Sequence, residues 1–176
     1  MISVVALWLA ACGSSGPGTT EDPDSGVVAG QDAATPTVEI GTGVDAFESI
    51  VEDQVLELRV GPQGGGRFEG YHIFSAVKVT GFDPVNLLAT FQILSEDRQV
   101  QAEQARQFPR LQPDGEAYVA FAVAPRLMDC CVVEDATIYL RVEVRDQNGL
   151  TGSDERRVHT SALCEDQEQP GTSVCE

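Results

Sequence analysis

Residues Thr137–Asp146 (TIYLRVEVRD) put Ile138, Leu140, Val142 and Val144 on one side of an extended chain and Tyr139, Arg141, Glu143 and Arg145 on the other. A period of two is what a half-buried β-strand requires, because successive side chains leave opposite faces of a strand. The same alternation runs through Val55–Val60, where Leu56, Leu58 and Val60 oppose Glu57 and Arg59. In Tyr71–Thr80 it sets Tyr71, Ile73, Ser75, Val77 and Val79 against His72, Phe74, Ala76, Lys78 and Thr80. Val85–Leu94 and Ala117–Ala124 are two more apolar runs of strand length, and no long amphipathic helix interrupts them.

Turn-forming residues fall between these runs: Gly61–Gly66, Gly81-Phe82-Asp83-Pro84, Gln112-Pro113-Asp114-Gly115 and Asn148-Gly149. Asn148-Gly149 predicts a type I′ hairpin, in which both central residues take positive φ. Strands at this spacing imply an all-β fold, an antiparallel Ig-like β-sandwich of about seven strands. The segment Gln99–Phe108 (QVQAEQARQF) is rich in helix formers, so it reads either as an edge strand or as a short helix in a crossover.

The chain has 176 residues, with 11 Lys and Arg against 28 Asp and Glu, a net charge of −17. Such a balance excludes nucleic acid as a partner, since phosphate neutralisation needs clustered Lys and Arg. It also opposes electrostatic docking on anionic lipid headgroups. Part of the acidity lies at the ends. Glu21, Asp22, Asp24 and Asp32 sit in residues 13–36, and Glu165, Asp166, Glu168 and Glu176 in residues 165–176, leaving 20 acids against 11 bases between Thr37 and Cys164. Acidity of this kind serves solubility.

Ile2–Ala11 (ISVVALWLAA) is uncharged and nearly all apolar. It is shorter than the roughly 20 residues of a membrane-spanning helix and has the length of a signal-peptide h-region. Leu9-Ala10-Ala11-Cys12 follows within it, and then Gly13-Ser14-Ser15-Gly16-Pro17-Gly18. This resembles the lipobox of bacterial lipoproteins. The resemblance implies cleavage before Cys12, lipidation of its thiol and acylation of the new amine. With Gly13 in place of an Asp after that cysteine, it implies the outer membrane. Of residues 13–36, 18 are Gly, Pro, Ser, Thr, Asp or Glu, which predicts a disordered tether.

Tyr139–Val158 resembles the closing hairpin of bacterial Ig-like and fibronectin-type domains, and Gly61–Phe74 is similar to bacterial lipoproteins of uncharacterised role. The expected organisation is therefore a signal peptide at residues 1–11, a lipid-anchored acidic linker at 12–36, the sandwich at 37–164 and a disulfide-pinned acidic tail at 165–176.

Besides Cys12 the chain carries Cys130, Cys131, Cys164 and Cys175. Export places them in an oxidising compartment, where an even number reads as two disulfides. Adjacent cysteines have Cα atoms 3.8 Å apart, too close for the usual bridge, so Cys130 and Cys131 each pair with a C-terminal cysteine. Both connectivities remain open: 130–164 with 131–175, or 130–175 with 131–164.

Several tempting constellations fall short. Bonded cysteines offer His159 no nucleophile, and no C-x₂-C spacing suggests zinc. Gly61–Gly66 leads into a strand and lacks the Lys-Ser/Thr of a phosphate loop. Asp146-Gln147-Asn148-Gly149 with Asp154 offers oxygens for calcium but lacks EF-hand spacing. There is no G-x-S-x-G elbow, and His72 and Ser75, three residues apart, face opposite sides of a strand. The expectation is a non-catalytic binding or structural module without catalytic residues, metal or cofactor. It is anchored in the membrane by lipid, with an envelope protein or polysaccharide meeting the loops at Gly61–Gly70 and Arg126–Asp135. The alternative is a small envelope enzyme or enzyme inhibitor with its site on those loops.

Overall fold

The computed structural model describes residues 35–60, 71–127, 129, 131–160, 165–166, 169–173 and 175, all within the compact unit Ala33–Glu176. The expected signal peptide, Cys12, most of the expected linker, the Gly61–Gly70 loop, Cys130 and Cys164 lie outside the described residues.

The fold is all-β. Its strands are β1 (Thr37–Thr42), β2 (Glu48–Ser49), β3 (Gln54–Leu56), β4 (Arg59–Val60), β5 (Tyr71–His72), β6 (Ser75–Thr80), β7 (Val85–Leu94) and β8 (Val100–Arg110). They continue with β9 (Gln112–Asp114), β10 (Ala117–Val123), β11 (Arg126–Leu127), β12 (Thr137–Arg145), β13 (Thr151–Thr160), β14 (Glu165–Asp166) and β15 (Gln169–Ser173), with a 3₁₀ turn at Cys131–Val133. Two five-stranded sheets, β2-β1-β6-β10-β9 and β3-β13-β12-β7-β8, enclose the core; β11-β5-β4 and the β14–β15 hairpin are small satellites.

The core follows the alternation. Ile138, Leu140, Val142 and Val144 of β12 are buried together with Leu87, Ala89, Phe91 and Ile93 of β7 and Val77 and Val79 of β6. Burying each large aliphatic or aromatic side chain contributes about 1.5–3 kcal/mol before chain entropy is counted.

Three sequence expectations need adjusting, and one open alternative is resolved. The strands outnumber seven because continuous-looking runs are broken: Tyr71–Thr80 divides at Ile73-Phe74, sending β5 and β6 to different sheets. Pairing is not wholly antiparallel, since β3 runs parallel to β13 along Gln54–Val158, Val55–His159 and Leu56–Thr160. Gln99–Phe108 supplies most of the edge strand β8 and no helix, because the ladder to β7 outweighs weak local propensity. The Asn148-Gly149 hairpin has one positive φ, Gly149 at 85°, instead of two. Its physical cause is Asp146, whose carboxylate accepts the Asn148 and Leu150 N–H groups at 2.9 Å and holds Gln147-Asn148 in an ordinary turn. Gly149 alone then takes the left-handed step.

The two sheets meet at both margins. On one, the chain passes from β8 to β9 through buried Leu111, whose N–H bonds to the Pro84 carbonyl at 2.9 Å, and so changes sheets. On the other, Asp154 of β13 accepts the Ile40 N–H of β1 at 2.8 Å and pairs with Arg156.

Candidate functional site at the end of the second sheet

The β7–β8 turn, the loop after the 3₁₀ turn and the end of β13 surround a cleft of about 860 Å³ lined by Ser95, Glu96, Asp97, Asp135, Thr137 and His159, with Val132 and Ala136. Each wall has a local cause. Ser95 closes its turn by donating N–H to the Gln99 carbonyl at 2.9 Å, and its hydroxyl bonds to Asp97 at 2.5 Å. Thr160, fully buried, ties the opposite wall to β13: its N–H reaches the Ala136 carbonyl at 3.0 Å, and its hydroxyl bonds to the Val133 carbonyl and accepts the Ala136 N–H.

Beside the cleft, the outward residues of β13 each meet a polar partner from a loop. Glu155 pairs with Arg98, Arg157 with Asp53, and His159 with Asp135 at 3.0 Å. All three loop partners adopt left-handed backbone, with φ of 67° at Arg98, 61° at Asp53 and 44° at Asp135. Non-glycine residues in that region are uncommon, Asp among the more tolerant, and three of them address one strand face. The Arg98 guanidinium also covers the Tyr139 ring at 3.3 Å from its centroid, so this outward aromatic is no bare platform.

Charge pairing shifts the protonation of these groups. The Arg157 hydrogen bonds hold Asp53 below the usual carboxylate range, and reciprocally raise Arg157; Glu155 raises Arg98. The His159 ring nitrogen Nε2 lies 3.0 Å from Asp135 Oδ1 at the cleft wall. The Ser95 hydroxyl, which also lines the cleft, is bonded to Asp97.

Of the cysteines expected to form disulfides, Cys131 and Cys175 are bonded, with Cα atoms 5.3 Å apart. Cys131 opens the 3₁₀ turn, and its N–H donates to the Asp129 carboxylate at 3.0 Å. The two sulfurs and the Glu134 carboxylate lie within 4.8 Å of one another. With the sulfurs bonded to each other, that group offers a metal one carboxylate and no thiolate.

The remaining candidates are dispersed. His72 is buried, at 4% exposure, stacks edge-on against Phe74 and lies opposite Arg59 and Arg126 in the β4-β5-β11 sheet. Ser75 donates to the Ile73 carbonyl. The proposed calcium oxygens are engaged elsewhere: Asp146 by backbone N–H groups and Asp154 by Ile40 and Arg156. Part of the Arg126–Asp135 loop reaches the cleft through Val132 and Asp135. Sequence reading missed Asp53 and Arg98 and reached Asp135 only as the end of a candidate loop, although Asp in a short polar turn is a mild signal for left-handed backbone. Comparison of the chain with protein-family models and with curated proteins gives no match.

Proposed function

We propose that the chain is an exported, lipid-anchored cell-envelope protein whose sandwich acts as a non-catalytic binding or structural module. The Cys131–Cys175 bond carries this reading. Stable structural disulfides belong to oxidising compartments, and export is what Leu9-Ala10-Ala11-Cys12 requires. Gly13 after the lipidated cysteine favours the outer membrane, and Gly13–Pro36 is the tether. The loops at the cleft end are the contact surface, since a rigid β-scaffold presents its binding residues on loops.

The experiment is metabolic labelling with radiolabelled palmitate followed by membrane fractionation. The wild-type chain takes up label and sediments with outer membrane; Cys12→Ala takes up none and accumulates as precursor. Label retained by Cys12→Ala defeats the anchoring. A second reading, an envelope enzyme or enzyme inhibitor, draws on the His159–Asp135 pair in the cleft. Turnover or inhibition in a panel of ester, amide and glycoside assays, lost in His159→Ala, would put that reading first.

A further inference from the structure

β2 is the last strand of the first five-stranded sheet and β3 the last strand of the second. Residues of these two edge strands and of the turn after β1 line a groove of about 370 Å³ that shares no residue with the His159 cleft. Buried Leu56 and Ile73 and half-buried Phe74 belong to it, and Val44 and Val55 line it while 47% and 55% exposed. Its walls are held by the fold's own bonds. The Thr42 hydroxyl donates to the Phe74 carbonyl at 2.7 Å, and the Gly43 carbonyl accepts the Ala122 N–H at 3.0 Å. Gln54 closes its turn on Val51, its N–H donating and its side-chain oxygen accepting, both at 3.0 Å.

Charge decides what such a groove accepts. Arg59, its one cation, is held by Glu57 at 2.6 Å, whereas Asp45 and Glu48 form no ion pair among the described residues. The three groove carboxylates do not converge closely enough to share one ion, so they suit separate cations. The chain's own ends have the wrong sign, since residues 13–36 and 165–176 carry acids and no base. A second copy would bring a net charge of −17 to a groove that is already acidic.

We propose that this groove docks a cationic segment of a partner protein, with Lys or Arg side chains on Asp45 and Glu48 and an apolar side chain on Val44 and Val55. Covering the valines removes apolar surface from water, which a bare polycation cannot do. The carboxylates add charge-assisted hydrogen bonds and set the partner's sign, which governs specificity more than affinity. At physiological salt the Debye length is about 8 Å, so these local acids act in preference to distant ones. Neither the cleft nor the lipid anchor takes part in this contact.

The test titrates a fluorescein-tagged peptide GKVKVKG into the full chain, with GKSKSKG, GEVEVEG and spermine beside it. GKVKVKG binds, GKSKSKG binds about fivefold more weakly, and GEVEVEG does not bind. Asp45→Asn with Glu48→Gln weakens GKVKVKG by about tenfold, and Val55→Ser by about fivefold, with unchanged circular dichroism. Removing two acids elsewhere, Glu103→Gln on β8 with Glu116→Gln in the β9–β10 turn at the opposite edges of the sheets, leaves affinity unchanged. Amide resonances of Val44, Val55 and Ile73 shift on binding. Full affinity in the Asp45 and Glu48 pair, equal loss in the Glu103 and Glu116 pair, or shifts confined to the His159 cleft overturns the proposal. So does equal binding of GKSKSKG or spermine, which identifies unspecific attraction of cations to an acidic chain. Should the double variant misfold, Val55→Ser and the amide shifts decide. Failure here leaves palmitate labelling at Cys12 untouched, and failure there leaves this titration untouched.

Discussion

Arg157 grips Asp53 with a two-pronged bond, Nε to Oδ1 and Nη2 to Oδ2, both at 2.7 Å, while the Asp53 N–H donates to the Arg157 carbonyl at 2.9 Å. The pair fastens β3, three residues long and the one parallel strand in its sheet, to the edge of β13. Parallel pairing is slightly weaker per residue, and so short a strand needs such a clamp.

That relationship predicts an ordering of variants at Asp53. Asn tolerates left-handed backbone but loses the charge; Val loses the charge and opposes φ of 61° as well. Asp53→Asn should lower the thermal midpoint slightly, and Asp53→Val by roughly 5 °C more. Thermal melts followed by circular dichroism settle this, and equal midpoints would remove backbone strain from the explanation.

Stability should fall on mild acidification because of His72. Burial, and then Arg59, push its pKa below the ordinary 6.5. The folded imidazole stays neutral where the unfolded one takes up a proton, so stability is full above pH 6.5 and declines as pH drops towards the folded value. The slope is at most about 1.4 kcal/mol per pH unit. Denaturant titrations between pH 7.5 and 5 should show the decline in wild type and a flatter profile in His72→Gln. A second loss begins below pH 4, where Asp53 and Asp83, both held below 3.8, take up protons; the Val85 N–H is the main cause at Asp83.

Gly152 lies where β13 crosses β1. A Cβ there would stand 2.7 Å from Val38 and 2.9 Å from Phe82. Gly152→Ala forces both side chains to move and should cost about 1–3 kcal/mol of stability. Unfolding titrations of Gly152→Ala and of Gly152→Ala with Val38→Ala check the cause, since the second change should recover part of the loss.

Non-reducing peptide mapping should join Cys131 to Cys175, which leaves Cys130 for Cys164. With the bonded cysteines 44 positions apart in sequence, the cross-link is worth about 4 kcal/mol in the chain-entropy model. Reduction should lower the unfolding midpoint without abolishing the fold, because the core of β6, β7 and β12 is built without it. Cys130 found joined to Cys175 would refute the pairing.

Alternation by itself located β7, β12 and most of β10, because in a strand with one wet face the residue period and the burial period are the same quantity. The positions of Asp83-Pro84, Gly115 and Gly149 likewise announced where the chain reverses. What pattern alone left undetermined was every feature built from distant residues. QVQAEQARQF became a strand because β7 offered it a ladder; the Asn148-Gly149 turn changed type because Asp146 captured its N–H groups. The alternation set His72 on the face opposite Tyr71 and Ile73 without deciding its burial; packed against Phe74, it is buried. The outward face of β13 recruits Asp53, Arg98 and Asp135 from three loops, with as many as 104 positions between partners. Local spacing carries the information for a strand face, whereas the meeting of loops is set by how the sheets pack.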